Sequence, residues 1–108
     1  MEVYQTVIGS SLELETFDGN GDGLDLTLYD EAESFLRLAY PTGSVDKAIR
    51  FGTGNIVCYD IEEGDFDENE TVQGQLFLIK ETGGAVTLRK PLEIFAIEVL
   101  RILEAPTP

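Results

Sequence analysis

A chain of 108 residues, 43% of them hydrophobic, has the size and apolar content of one folded domain, and its formal charge of −14 makes it strongly acidic. It has no His or Trp, and Cys58 is its single cysteine. These absences remove Ser–His and Cys–His nucleophile pairs, imidazole acid–base chemistry, histidine-ligated transition metals, intrachain disulfides and thiolate clusters.

The charge is segregated. Residues 1–35 carry nine acids and no base, residues 36–59 carry one acid against three bases, and residues 60–70 carry seven acids and no base. From Thr71 onward four bases (Lys80, Arg89, Lys90, Arg101) balance four acids (Glu81, Glu93, Glu98, Glu104). Such a field repels nucleic acid and anionic membranes and attracts basic protein surfaces. The N-terminal residues lack the basic and apolar regions of a signal peptide. No apolar run approaches the roughly 20 residues of a membrane-spanning helix. A cytoplasmic location is expected, with a single domain over residues 1–104 and a disordered tail at 105–108.

In chain order the pattern is that of strands and tight turns. Val3 to Ile8 is short, β-branched and aromatic. Ser11 to Phe17 alternates, with Leu12, Leu14 and Thr16 on one face and Glu13 and Glu15 on the other. Leu24 to Tyr29 alternates as well, so the two runs predict a hairpin across Asp18–Gly23, with Glu13, Glu15, Asp25 and Thr27 on its solvent face. Glu31 to Tyr40 reads as a short helix or a strand, and Pro41 to Ser44 as a turn. Ile49–Phe51 and Asn55–Ile61 read as extended, with Cys58 a buried structural thiol.

The segment 60–70 lacks an apolar period and reads as an exposed acidic loop. Its Phe66 fits two roles equally: an apolar anchor in a charged interface, or a side chain tucked back into the core. Gln73–Lys80 and Ala85–Arg89 predict a hairpin through Glu81-Thr-Gly-Gly84. Leu92 to Leu103 has an ambiguous period, and its Ile, Phe and Val content favours a strand over a helix. The expected fold is therefore mainly β, a small antiparallel sandwich or barrel of about seven to eight strands with at most one or two short helices. An α+β domain with a C-terminal helix is the alternative.

One motif carries a chemical mechanism. Asp18-x-Asn20-x-Asp22-Gly23 sets oxygen ligands at alternate positions before a glycine. It resembles the first half of an EF-hand loop and the calcium loops between strands of β-propeller blades. That resemblance implies calcium, through Asp18, Asn20 and Asp22, as the one cofactor candidate. It covers about six residues and then departs, because Tyr29 stands where an EF-hand has its closing Glu. The competing reading is a turn rich in Asn, Asp and Gly for conformational reasons.

No residues suggest catalysis beyond the carboxylate pairs that any acidic chain contains. The expected function is a non-enzymatic protein that occludes a basic surface of a protein partner, such as a nucleic-acid-binding face, as inhibitors, immunity proteins and anti-defence proteins do. The expected contact residues are Glu13, Glu15, Asp25, Asp60, Glu62, Glu63, Asp65, Phe66, Asp67, Glu68 and Glu70. A calcium-stabilised β module and a structural or accessory subunit of a larger assembly are the alternatives.

Overall fold

Residues 1–68 and 71–102 are described by the computed structural model, which is mainly β. The expected tail at 105–108 lies outside the described residues. Nine strands are formed among them: β1 (Glu2–Tyr4), β2 (Ser11–Glu15), β3 (Phe35–Tyr40), β4 (Gly43–Ala48), β5 (Arg50–Phe51), β6 (Ile56–Asp60), β7 (Thr71–Thr82), β8 (Ala85–Pro91) and β9 (Phe95–Leu100). The larger sheet runs β1-β9-β7-β3-β4, with β8 also paired to β7, and the smaller runs β2-β6-β5. All neighbours are antiparallel except β1 and β9, whose parallel pairing departs from the expected wholly antiparallel sheet.

Period-2 alternation explains how the sheets share one core. Pairing of Leu36 with Leu76 on β3 and β7, and of Leu12 with Tyr59 and Leu14 with Val57 on β2 and β6, turns these residues inward. Leu38, Leu78, Val72, Ile97 and Val99 complete the interior. At about 25 cal/mol per Å² of apolar surface removed from water, this cluster is the main source of stability. On the outer face of the larger sheet Phe35 stacks on Phe77 with ring centroids 4.9 Å apart. The Arg37 guanidinium lies over both rings while pairing with Asp46 at 2.7 Å.

Three sequence expectations hold and one open reading is resolved. β2 alternates as read, β7 and β8 form the hairpin through Gly83 and Gly84, 35–40 resolves to a strand, and β9 is a strand rather than a helix. Both turn glycines have positive φ, +61° and +82°, the conformation a two-residue hairpin turn of this kind requires.

The hairpin predicted between 11–17 and 24–29 does not form. β2 pairs with β6 instead, and Leu26–Leu28 is a single 3-10 turn. The reason is local. Asp25 caps that turn, its Oδ1 accepting from the Thr27 amide at 3.1 Å and the Thr27 hydroxyl at 2.5 Å, and this competes with strand pairing. β4 departs from the sequence reading, because Gly43 and Ser44, expected in the turn, are its first two residues. Among the described residues no helix is long and apolar enough to cross a membrane.

Candidate functional site

β2 is an edge strand of the smaller sheet. Its alternation buries Leu12 and Leu14 and leaves Glu13 and Glu15 exposed. Beside it lies a groove of about 460 Å³. Leu14, Leu76, Leu92 and Phe95 supply apolar walls and floor, and the half-exposed Phe17 stands at one end. Glu13, Glu15, Asp18 and Glu93 form its rim. Among the described residues the one cationic group lining it belongs to Met1, whose ammonium is turned to the Ala96 carbonyl at 3.3 Å. Phe95 sits opposite Gly74 across the β7–β9 pair, and the missing side chain there gives its ring room to form the wall.

Asp18 and Asn20 lie in the loop that follows. Asp18 Oδ1 accepts from the amides of Asn20 at 2.8 Å and Asp22 at 3.1 Å, and the Asp18 amide donates to the Asp22 carbonyl at 2.7 Å. These bonds hold the loop as a self-contained turn. Among the described residues no three acidic or cysteine side chains converge as a metal-ligand set. Asp25 is exposed at the cap described above, away from the solvent face of β2 where it was expected.

The 60–68 segment divides into surface and core. Asp60 is exposed but engaged, with Arg50 Nε at 3.0 Å and the Ser11 hydroxyl at 2.5 Å. Those hydrogen bonds, Arg50 first, hold its carboxyl below the ordinary aspartate range. Glu62 meets Lys47 at 3.4 Å, and Glu63, Asp67 and Glu68 are exposed. Glu70 lies outside the described residues.

Asp65 and Phe66, expected at the partner surface, are both buried, at 3% and 1% exposure. Phe66 is a core side chain. Asp65 is the centre of a buried polar knot. It accepts from the Tyr59 hydroxyl and from the Glu62 amide at 2.8 Å, and pairs with Lys47 at 3.1 Å. Burial, followed by the Asp65 hydrogen bond, pushes the Tyr59 phenol far above its usual value. Lys47 is pulled down by burial, but Asp65 and Glu62 outweigh this and its ammonium is held above the ordinary lysine value. A loop with no apolar period thus depends on one aromatic and one acidic side chain turned inward. Neither was separable by sequence from its exposed neighbours.

The two acidic blocks touch where Ser11 pairs with Asp60 and where Gln5 and Thr6 bond to Asp67 and Phe66, but their acidic loops lie at opposite ends of the smaller sheet. The 61–68 loop leaves the end of the smaller sheet where Ser11 pairs with Asp60, with Ile61 bonded to Ser10. The 16–31 segment leaves the opposite end, where Thr16 bonds to Asn55. At about 3.3 Å per residue the strands separate the two loops by roughly 15 Å. The groove therefore takes Glu13, Glu15 and Asp18 from the first block, nothing from the second, and Glu93 from the charge-balanced last third. Glu93, Leu76, Leu92 and Phe95 were missed because only the β7–β9 fold-back brings them beside β2.

A wider hollow of about 690 Å³ lies between Asp25, Tyr29, Glu31 and Phe51. Gly23, Gly52 and Gly54 are part of its lining, and Glu31 already accepts from the Phe51 amide at 2.7 Å. The groove along β2, with its apolar floor, is the better-formed binding feature. No family model, curated protein or solved structure matches this chain, so function rests on geometry and chemistry.

Proposed function

We propose that this chain is a non-catalytic interaction protein whose groove beside β2 receives an extended, basic and partly apolar segment of a protein partner. The observation that carries this reading is the joining of an apolar floor to a carboxylate rim along the open edge of a strand. Apolar side chains of the segment enter between Leu14, Leu76 and Phe95, while its Lys or Arg side chains meet Glu13, Glu15 and Glu93. Backbone addition to the free edge of β2 supplies affinity that does not depend on the partner's side chains. Occlusion of a basic surface, as an inhibitor or immunity-type protein achieves it, follows from burying such a segment. The work of recognition falls on this groove rather than on the acidic surface as a whole.

The test is binding of a fluorescent peptide alternating Lys and Val, followed by anisotropy in low salt and in about 0.15 M salt. Binding should weaken with salt, and Glu13→Lys with Glu15→Lys should weaken it about tenfold, two exposed charge contacts being worth up to about 1 kcal/mol each. Binding that ignores both changes sinks the reading.

A further inference from the structure

The same molecule carries a segment with the complementary chemistry. β8 is paired to β7 alone and is exposed along Ala85–Arg89, with Lys90 half-buried. Val86 and Leu88 are 57% and 40% exposed on this arm. Lys80 stands across from Leu88 and Lys90 follows on the face of Leu88, whereas Arg89 lies on the opposite face over the Phe77 ring at 5.2 Å, and Glu81 is the single acid of the arm. Among the described residues Arg37, Lys47 and Arg50 are consumed in ion pairs, whereas Lys80, Arg89, Lys90 and Arg101 form none. A protein of charge −14 thus keeps all but Arg101 of these cations without an ion pair on one two-stranded projection that also displays aliphatic side chains.

We propose that the occupant of the groove is the β7–β8 arm of a second copy of this chain, an inference that rests on the groove being a site for basic, apolar segments. Lys80 is paired with Leu88, so a basic and an aliphatic side chain stand side by side there, as the acidic rim and apolar floor of the groove require, and Val86 stands across from Glu81. The register of β7 shifts between Lys80 and Glu81, and Lys90 and Pro91 lie at the root of β8. Irregularity, lysine and proline are the devices that stop edge strands from stacking without limit, so the contact is bounded rather than fibrillar. Groove and arm share β7, with Leu76 in the floor and Lys80 and Glu81 in the arm, roughly 15 Å apart along the strand. Two copies related by a two-fold axis each lay an arm over the other's groove, and the assembly closes as a dimer.

The experiment is sedimentation of the full chain in about 0.15 M salt, where charges beyond about 8 Å are largely screened. The wild type should sediment as a dimer that the Lys–Val peptide dissociates. Lys80→Glu with Arg89→Glu should give a monomer, and so should Glu13→Lys with Glu15→Lys. Mixing the two variants should restore a one-to-one dimer, because each reversed surface then meets its opposite. All four side chains are exposed, and circular dichroism checks that both variants fold. A dimer indifferent to either reversal, or variants that stay monomeric when mixed, overturns the proposal. A monomeric wild type that still binds the peptide through Glu13 and Glu15 removes the second copy alone. Loss of both dimer and peptide binding removes the groove reading as well.

Discussion

The ring of Phe95 occupies the space that a side chain on Gly74 would need: a β-carbon built on Gly74 falls 2.6 Å from Phe95 Cζ. The two residues face each other across the β7–β9 pair, so the wall of the groove exists because one strand omits a side chain. Gly74→Ala should displace the ring, with a destabilisation of about 1–3 kcal/mol for overpacking and a loss of affinity for the Lys–Val peptide. Urea unfolding and anisotropy read the two effects. A variant with native stability and native binding contradicts this origin of the wall.

Asp65 satisfies a phenol, an amide and an ammonium from inside the protein. Asp65→Ala leaves Lys47 without its nearest counter-charge and two buried donors without an acceptor, and should cost about 3 kcal/mol. Tyr59→Phe removes a single donor and should cost only about 1 kcal/mol. Urea midpoints measure both. A smaller effect for Asp65→Ala than for Tyr59→Phe would show that Asp65 is not the centre of the knot.

The Asp18 turn supports a similar comparison. Asp18→Ala removes the acceptor for two loop amides and should cost about 1 kcal/mol in chelator-treated buffer, as loss of a capping side chain does. The calcium reading adds a second, separable expectation. If the loop opens its Asp18 carboxylate to the ion, millimolar calcium raises the Tm of the wild type, and Asp22→Ala, which leaves the Asp18 acceptor in place, removes that rise.

Two sets of carboxylates should titrate in opposite senses. Arg50 and Ser11 hold Asp60, and Arg37 holds Asp46, below the ordinary aspartate range. A carboxyl lowered by folding contributes stability that is present above its unfolded pKa and lost as pH falls through its folded one. Glu81 is raised, first by repulsion from Glu33 and then by burial. Its contribution is complete below the unfolded pKa and is lost as pH rises through the raised value. Carboxyl NMR titrations should place Asp46 and Asp60 early and Glu81 late. Arg50→Ala should return Asp60 towards its ordinary range, and Glu33→Gln should do the same for Glu81 while raising the Tm at neutral pH.

Local chemistry was legible where it was sufficient by itself. Strict alternation placed Glu13 and Glu15 on the outside of β2, and two consecutive glycines placed the β7–β8 turn. It misled at Leu24–Tyr29, where alternating leucines suggested one face, yet Leu26 is 5% exposed and Leu28 is 50% exposed. There the Asp25 side chain wins the backbone away from a strand. β4 was invisible for a different reason: with most of its side chains exposed, Gly43–Ala48 has no apolar period to read. Phe66 and Asp65 needed knowledge of Tyr59 and Lys47, which approach them only through the folded sheets. The groove itself was beyond reach of pattern reading, since its walls come from residues separated by most of the chain.

The parallel pairing of β1 with β9 joins Glu2 to Glu98 and Tyr4 to Leu100. A chain made from its N-terminus therefore keeps its first strand without that partner until the ninth has emerged. Val3, 8% exposed in the finished protein, has no such cover in the meantime. The β1 edge of the larger sheet, and the Met1 end of the groove with it, thus waits for β9 during synthesis, and pairing across so long a loop is a slow step of folding.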